Sequence, residues 1–317
     1  MIMKNNKLTI VSRKSRLALQ QANIVKQHLH NLYPNINIEI IGISTIGDQI
    51  LDQSLNKIGG KGLFVSELEN YLLTEQADIA VHSMKDMPSM LAPGLVIGAI
   101  LERADPRDVF VSEKFTNLQQ LPAGSIVGTS SLRRQAQVLA IKNNVEIAAL
   151  RGNVETRLQK LVAGQYDAII LAAAGLERLG LSQWLKVPLD TAVMLPAVGQ
   201  GALGVEYNSA REDLKSLLTP LNHAATAICV NAERAMNAAL DGGCQAPIAG
   251  FATIQADLLT LHGLVASSDG AQILRATQIG PIQDATQIGE KVAQQLLAQG
   301  AAIIIQNLKD LSQKDGW

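Results

Sequence analysis

Ser125-Ile-Val-Gly-Thr-Ser-Ser-Leu-Arg-Arg-Gln135 is the stretch that decides how this chain folds. A short apolar run leads into Thr129-Ser130-Ser131, residue types that cap helix N-termini, and a helix is predicted from about Leu132. Strand, polar turn and helix together make the unit from which parallel α/β sheets are built. The turn is electrostatically odd. Arg133 and Arg134 fall in the first helical turn, where a cation opposes the helix dipole at a cost of roughly 0.3–1 kcal/mol each when exposed. A carboxylate or phosphate bound there reverses the sign, because charge-assisted hydrogen bonds contribute about 1.5–3 kcal/mol each. The pattern recurs downstream: a strand over Val145–Leu150, then Arg151-Gly152-Asn153, then a helix carrying Arg157. Four arginines thus lie within 25 residues. Solvated arginines on two helices are the plain alternative, but two such turns in succession favour a pocket for a polyanion.

Working outward, strand and helix patterns alternate through the first two-thirds of the chain. Strands are predicted at Leu8–Ser12, Ile36–Ser44, Ile79–His82, Leu95–Ile100, Val109–Ser112 and Asp167–Ala172, with helices at Leu17–Leu32 and Leu63–Thr74. Such alternation implies βαβ units and largely parallel sheets. The polar break Glu102–Asp108 and the segment Leu195-Pro-Ala-Val-Gly-Gln-Gly201 read as hinges between two α/β lobes, with Gly201–Tyr207 returning to the first. The first lobe is expected over 1–101 and 201–219, and the second over 107–195. From about 222 the character changes to α+β. A helix over His223–Leu240 ends at Gly242-Gly243, β runs flank the turn Ser268-Asp269-Gly270, and a helix over Asp284–Leu297 precedes a short apolar strand at Ala302–Gln306. A smaller C-terminal domain is therefore expected over 222–317.

Composition narrows the function. The 317 residues are 47% hydrophobic and 17% charged, which supports sizeable cores and excludes a disordered chain. Lys+Arg 27 against Asp+Glu 28 gives no global basic field, and 3% aromatic residues leave little for stacking bases. Nucleic acid is not the expected partner. No apolar run is long enough for a signal-peptide core or a membrane span, so the expectation is a soluble cytoplasmic protein. The two cysteines make no disulfide scaffold, and the five histidines show no metal-ligand spacing.

Ligands of open α/β sheets gather at the C-terminal ends of strands, and polar clusters fall there. Ser12-Arg13-Lys14-Ser15-Arg16 follows the first strand, and Ser83-Met84-Lys85-Asp86 follows the strand ending at His82. The two arginine clusters do the same in the second lobe. Asp86, an acid among cations, has the chemistry to hold a developing positive charge or move a proton; a plain salt bridge is the alternative. Lys57-Ile-Gly-Gly-Lys-Gly62 is a glycine-rich loop without P-loop spacing. Cys229 lies on an apolar helix face and reads as core. Cys244, in Asp241-Gly-Gly-Cys-Gln-Ala-Pro247, is presented by a flexible segment suited to a nucleophile or an attachment point.

Taken together, these segments closely resemble the porphobilinogen deaminase (hydroxymethylbilane synthase) family. The similar stretches are Gly59-Gly-Lys-Gly-Leu-Phe64, Asp78-Ile-Ala-Val-His-Ser-Met-Lys-Asp86, Gly128-Thr-Ser-Ser-Leu-Arg-Arg134, Leu150-Arg-Gly-Asn-Val154, Leu195–Ala202 and Glu233-Arg-Ala-Met with Gly242-Gly-Cys-Gln245. They run in order through all three expected domains. The resemblance implies an α/β fold of two periplasmic-binding-protein-like lobes with hinge segments, plus a smaller C-terminal α+β domain. It implies a monomeric, cytoplasmic transferase that deaminates four porphobilinogen molecules and condenses them head to tail. It further implies a dipyrromethane cofactor held through a thioether to Cys244.

By the same resemblance, Asp86 is the catalytic carboxylate. Lys85, Thr129, Ser130, Ser131, Arg133 and Arg134 join Asp86 and Cys244 in holding the cofactor. Arg13, Ser15, Arg151, Arg157, Lys57, Lys61, Phe64 and Gln200 contact the substrate, with Lys57, Lys61 and Phe64 on a loop over the cleft. The chemistry is coherent. Each pyrrole carries acetate and propionate groups, so a growing chain needs many Arg and Lys partners, and arginine's fork suits carboxylates best. Arg16 departs from the family, where proline is expected, and is read as solvated; Ile46 stands where a basic residue often occurs. A non-catalytic, two-lobed binding protein for a small anion is the rival reading, opposed by Cys244 and its additional domain.

Overall fold

β1 (Lys7–Arg13) buries Leu8, Ile10, Val11 and Ser12, which a strand does only when layers cover both its faces. Ser15 caps the following α1 (Arg16–Leu32), its side chain accepting the Ala18 backbone N–H. Gln21, Ala22, Val25 and Leu29 form that helix's buried stripe. β2 (Asn37–Ile43), α2 (Ser66–Leu73), β3 (Ile79–Ser83), a single 3-10 turn at Met84–Asp86 and β4 (Leu95–Ile100) complete the first run. The computed structural model describes residues 6–45, 65–241 and 246–314.

The chain crosses through residues 101–107 into β5 (Asp108–Val111), β6 (Ile126–Gly128), α3 (Leu132–Ile141) and β7 (Glu146–Ala148). α4 (Val154–Val162), β8 (Ala168–Ala172), α5 (Ala173–Arg178) and β9 (Val187–Pro188) follow. It returns through 189–202 to β10 (Leu203–Asn208) and α6 (Glu212–Leu218). The last third holds α7 (Ala224–Ala239), β11 (Ile248–Gln255), β12 (Leu258–Ala266), β13 (Ile273–Pro281), α8 (Ala285–Ala298) and α9 (Ala301–Lys314).

Two five-stranded sheets result, ordered β2-β1-β3-β10-β4 and β7-β6-β8-β5-β9. They have the same plan. Three strands run parallel, and the fourth, which arrives from the other lobe, pairs antiparallel with both neighbours. The sheets are therefore mixed, where a largely parallel arrangement was expected. β5 and β10 each enter from a hinge and have no preceding helix to bring them round in parallel. In both lobes C-terminal ends of parallel strands, Arg13, Ser83, Gly128 and Ala148, lead into the polar segments singled out above.

The hinges are held together. Leu101 N–H donates to Leu203 C=O at 3.0 Å and Ala104 N–H to Gly201 C=O at 3.2 Å. Gly201 is a residue only glycine satisfies: its φ is +88°, and a Cβ there would lie 2.6 Å from the Ala104 carbonyl oxygen.

The last third is an antiparallel sheet, β11-β12-β13, covered by α7 and α8. The apolar run at Ala302–Gln306 is helical, correcting the expected strand. Ala301, Ile304 and Ile305 are buried while Ala302 and Ile303 are exposed, a 3.6-residue period that apolar content alone conceals. This unit docks on both hinges through Glu233 of α7, which is fully buried. Its carboxylate accepts from Arg103 Nη1 (2.6 Å) and Nη2 (2.9 Å), from Gly199 N–H (2.7 Å) and from Ala252 N–H (2.9 Å). Arg103 also lies over the Phe251 ring, 5.1 Å from its centroid. Cys229 packs in the same core, its thiol pushed up to about 11 by burial and the nearby Glu233 charge. Among the described residues, no helix is long and apolar enough to cross a membrane.

Candidate active site

The strand ends of the two lobes face one another across a cleft of about 660 Å3. The first lobe supplies Arg13, Ser15, Arg16 and Gln21 from the β1–α1 turn and helix, and Ser83, Lys85 and Asp86 from the end of β3. The second supplies Arg134 from α3, Arg151, Gly152 and Asn153 from the turn before α4, Arg157 from α4 and Arg178 from α5. Gln200 and Gly201 of the second hinge complete the lining. Among the described residues, Asp86 is the only carboxylate lining the cleft. The notable feature is the ratio: many cations, one acid.

Local chemistry positions these groups. Gln21 Nε2 donates to Ser83 Oγ at 2.9 Å, joining α1 to the end of β3. Asn153 caps α4 by accepting from Thr156 N–H at 2.8 Å. Arg157 Nε donates to the Gly152 carbonyl at 2.8 Å, which folds its side chain back over the turn. Arg178 Nη2 donates to the hinge carbonyl of Gly201 at 2.6 Å.

Burial and the crowding of cations lower the proton affinity of these groups. Lys85 is pushed down to about 8, first by burial and further by Arg134 and Arg133, with Asp86 and Asp108 opposing. Arg157 is lowered to about 10 by burial and by Arg134 and Arg151, with Asp86 again opposing. Burial lowers Arg178 to about 10. Anions entering this space relieve both penalties by replacing water around charges that repel one another.

Asp108, at the start of β5, changes how the first arginine pair is understood. It is fully buried, 2.7 Å from Arg134 Nη2 and 2.8 Å from Arg133 Nη1. Gln200 Nε2 donates to the same carboxylate at 3.0 Å. Burial alone would raise the Asp108 carboxyl, but the two guanidinium charges outweigh it and hold it well below the usual carboxylate range. Arg133 also donates to the Leu195 carbonyl (2.7 Å) and Arg134 to the Ile170 carbonyl (2.9 Å). The anion that offsets the first-turn cations of α3 is thus in part the protein's own.

The expected residues are distributed accordingly. Asp86, Lys85, Arg13, Ser15, Arg134, Arg151, Arg157 and Gln200 come together in the cleft. Arg133 is buried behind Arg134 and does not line it. Neither do the turn residues before α3. Thr129 Oγ1 accepts the Ser131 N–H (3.2 Å), Ser131 Oγ caps α3, and Ser130 Oγ bonds both the N–H and the C=O of Leu150. Lys57, Lys61, Phe64 and Cys244, together with Ile46, lie outside the described residues. Sequence reasoning missed Arg178, Gln21 and Asp108. Arg178 was discoverable as the cation closing a short helix after a strand C-terminus. Arg16 is solvated as expected, its side chain 67% exposed, and it also pairs with Glu155 at 3.0 Å.

The family models and the curated relatives name one family. Residues 8–216 match the family model "Porphobilinogen deaminase, dipyromethane cofactor binding domain", and residues 227–298 match "Porphobilinogen deaminase, C-terminal domain". The porphobilinogen deaminase of Nitrosomonas europaea is 53% identical over 299 residues, covering 94% of this chain and 97% of that protein. That of Laribacter hongkongensis is 51% identical over 302 residues, covering 95% and 98%. Among solved structures, the methionine-binding protein MetQ is 12% identical with a TM-score of 0.45, covering 69% of this chain and 90% of that one.

Proposed function

The chain belongs to the porphobilinogen deaminase family, and from that premise we propose how its cleft divides the work of the reaction. The enzyme deaminates porphobilinogen and condenses four molecules head to tail on a covalent dipyrromethane primer, then releases linear hydroxymethylbilane by hydrolysis. One observation carries the assignment of roles: among the described residues, Asp86 is the one carboxylate lining a cleft whose other charged groups are all arginines and lysines.

The donor set fits a group rich in carboxylates. Arg134 and Lys85 hold the acid side chains of the dipyrromethane, with Arg133 behind them. Thr129 and Ser131 assist, since a hydroxyl that accepts a backbone N–H keeps its own proton to donate; Ser130 supports them from the turn, its own proton given to the Leu150 carbonyl. Cys244 is the proposed attachment point. When bound, the dipyrromethane supplies the pyrrole carbon from which the chain is extended. Arg13, Ser15, Arg151, Arg157 and Gln200 hold the acetate and propionate groups of the incoming substrate, and Lys57, Lys61 and Phe64 are proposed, from the family resemblance alone, to contact it. Arg178 joins this set by its place in the cleft.

Asp86 has the separate task. Loss of ammonia from porphobilinogen leaves an electron-poor, cationic pyrrole, and surrounding arginines disfavour it. A carboxylate directed at the pyrrole N–H stabilises that charge as it develops, an interaction stronger in the transition state than in the ground state. The segments 1–101 with 201–219, 107–195 and 222–317 are proposed as the folding units that carry these roles. The enzyme is further proposed to act as a cytoplasmic monomer whose partner is porphobilinogen rather than nucleic acid, in keeping with its balanced charge.

The test is a comparison of intact masses and turnover in a host that makes porphobilinogen. Wild type should carry two linked pyrrole units that Cys244→Ala lacks. Asp86→Asn should retain the adduct while turnover falls at least a hundredfold, about the contribution of one well-placed electrostatic group. Near-normal turnover in Asp86→Asn would remove that residue from the chemistry.

A further inference from the structure

Arg16 Nη1 donates to Glu155 Oε1 at 3.0 Å, an ion pair that joins the first lobe to the second at the rim of the cleft. Both residues sit in helical first turns. Arg16 follows the Ser15 cap of α1, and Glu155 is the second residue of α4 after the Asn153 cap. Glu155 complements its own helix dipole, whereas Arg16 opposes the dipole of α1 and needs an anion. That anion comes from the opposite lobe. Beside the pair the lobes are close: a Cβ on Gly175 of α5 would stand 3.9 Å from Leu17 Cδ2 of α1.

The interior of the cleft works against this contact. Arg13 and Lys85 on one wall face Arg134, Arg151 and Arg157 on the other, and like charges repel across the gap until carboxylates fill it. Asp86 offsets part of this repulsion. Lys85, depressed first by burial, is lowered further by Arg134 and Arg133 of the second lobe.

We propose that Arg16 and Glu155 are a positioning pair that holds the two walls together when substrate carboxylates are absent, so that the cleft is assembled before porphobilinogen enters. This rests on the substrate reading above and gives position 16, where the family resemblance leads one to expect proline, a task in this chain. An exposed pair of this kind shifts a closure equilibrium only severalfold, and the shift appears in apparent affinity as the loss of the binding-competent fraction.

The discriminating variant is Glu155→Gln in the cofactor-loaded enzyme at low ionic strength. With the pair broken, KM for porphobilinogen should rise about two- to fivefold with kcat unchanged. The radius of gyration of the substrate-free enzyme from small-angle X-ray scattering should increase, and added salt should erase the difference from wild type. Arg16→Gln should give the same expanded scattering profile, and the double variant should go no further than either single one. If Glu155 were merely a negative charge beside an anion site, its removal would lower KM instead. A lowered KM, or an unchanged scattering profile in both variants, overturns the proposal. The scattering measurement needs no turnover, so failure of the pair and failure of the substrate reading are separable.

Discussion

Arg134 donates to a single oxygen of Asp108 through two nitrogens, Nη2 at 2.7 Å and Nε at 3.1 Å. The pairing orients the guanidinium, and its Nη1 is held by the Ile170 carbonyl at 2.9 Å. Arg134 therefore reaches the cleft as a fixed group whose rotamer is settled before any ligand arrives. Preorganisation of this kind lowers the ordering cost of binding. Gln200 extends the arrangement, since its amide reaches both Asp108 and the Pro106 carbonyl and so ties a cleft residue to the first hinge.

Asp108→Asn should damage both stability and binding. It leaves Arg133 and Arg134 buried without their counter-charge, and breaking one side of a buried pair costs about 3–5 kcal/mol. At roughly 2–4 °C per kcal/mol for domains of this size, a thermal melt should fall by about 6–20 °C. The KM for porphobilinogen should rise in the surviving folded enzyme, because Arg134 loses its orientation. A variant that melts within about 2 °C of wild type would show that the arginines do not depend on Asp108.

Lys85 should make binding proton-linked. Burial and the facing arginines place it near pKa 8, so half of it is neutral at that pH. A carboxylate bound alongside favours the ammonium and raises the pKa, and binding near pH 8 then takes up a fraction of a proton. The sign follows: the Lys85 share of affinity is fully present below about pH 7 and fades as pH rises through 8 and beyond. Calorimetry of dipyrromethane binding to the adduct-free Cys244→Ala enzyme, in two buffers of different ionisation heat, measures the uptake. Lys85→Arg, charged throughout this range, should abolish that part of it. Equal proton uptake in the two enzymes would exclude Lys85 as the linked group.

How much of this was legible beforehand depends on the range of the interactions. The turn at 125–135 could be read because its signals are local: β-prone residues, hydroxyl caps and a helix within a few positions. The cleft could be read because strand C-terminal ends collect ligands whatever the loop details. Asp108 could not. Its partners lie 25 and 26 positions away, and nothing near Pro106 marks an acid destined for the core. The unfavourable arginines correctly signalled a missing anion, but the signal does not distinguish a ligand's carboxylate from an internal one. The partner of the solvated Arg16 was out of reach for the same reason, since Glu155 is 139 residues distant. At Ala302–Gln306 three successive isoleucines mimic a strand, and only the buried positions Ala301, Ile304 and Ile305 reveal the helical period.

Glu233 should prove to be the anchor of the last third of the chain. Its carboxylate receives four donors, two from Arg103 and one each from the backbones of Gly199 and Ala252, so one side chain joins α7, both hinges and β11. Arg103 in turn donates from Nε to the Gln200 carbonyl at 2.8 Å. Glu233→Gln keeps the volume but removes the charge and presents an NH2 to donors that need an acceptor, which leaves at least one buried group unpaired. The expected loss is about 3 kcal/mol or more. Thermal melting should fall by several degrees, and limited proteolysis should open new cleavage near residues 101–107 and 195–202, where the hinges lose their common partner. The cofactor adduct mass separates the effects. If the anchor acts only by holding the units in register, folded Glu233→Gln retains the adduct and turns over more slowly, because the hinges that bring the cleft walls together lose their common partner. An unchanged melt with unchanged proteolysis would mean the contact is incidental and that apolar packing alone holds the unit in place.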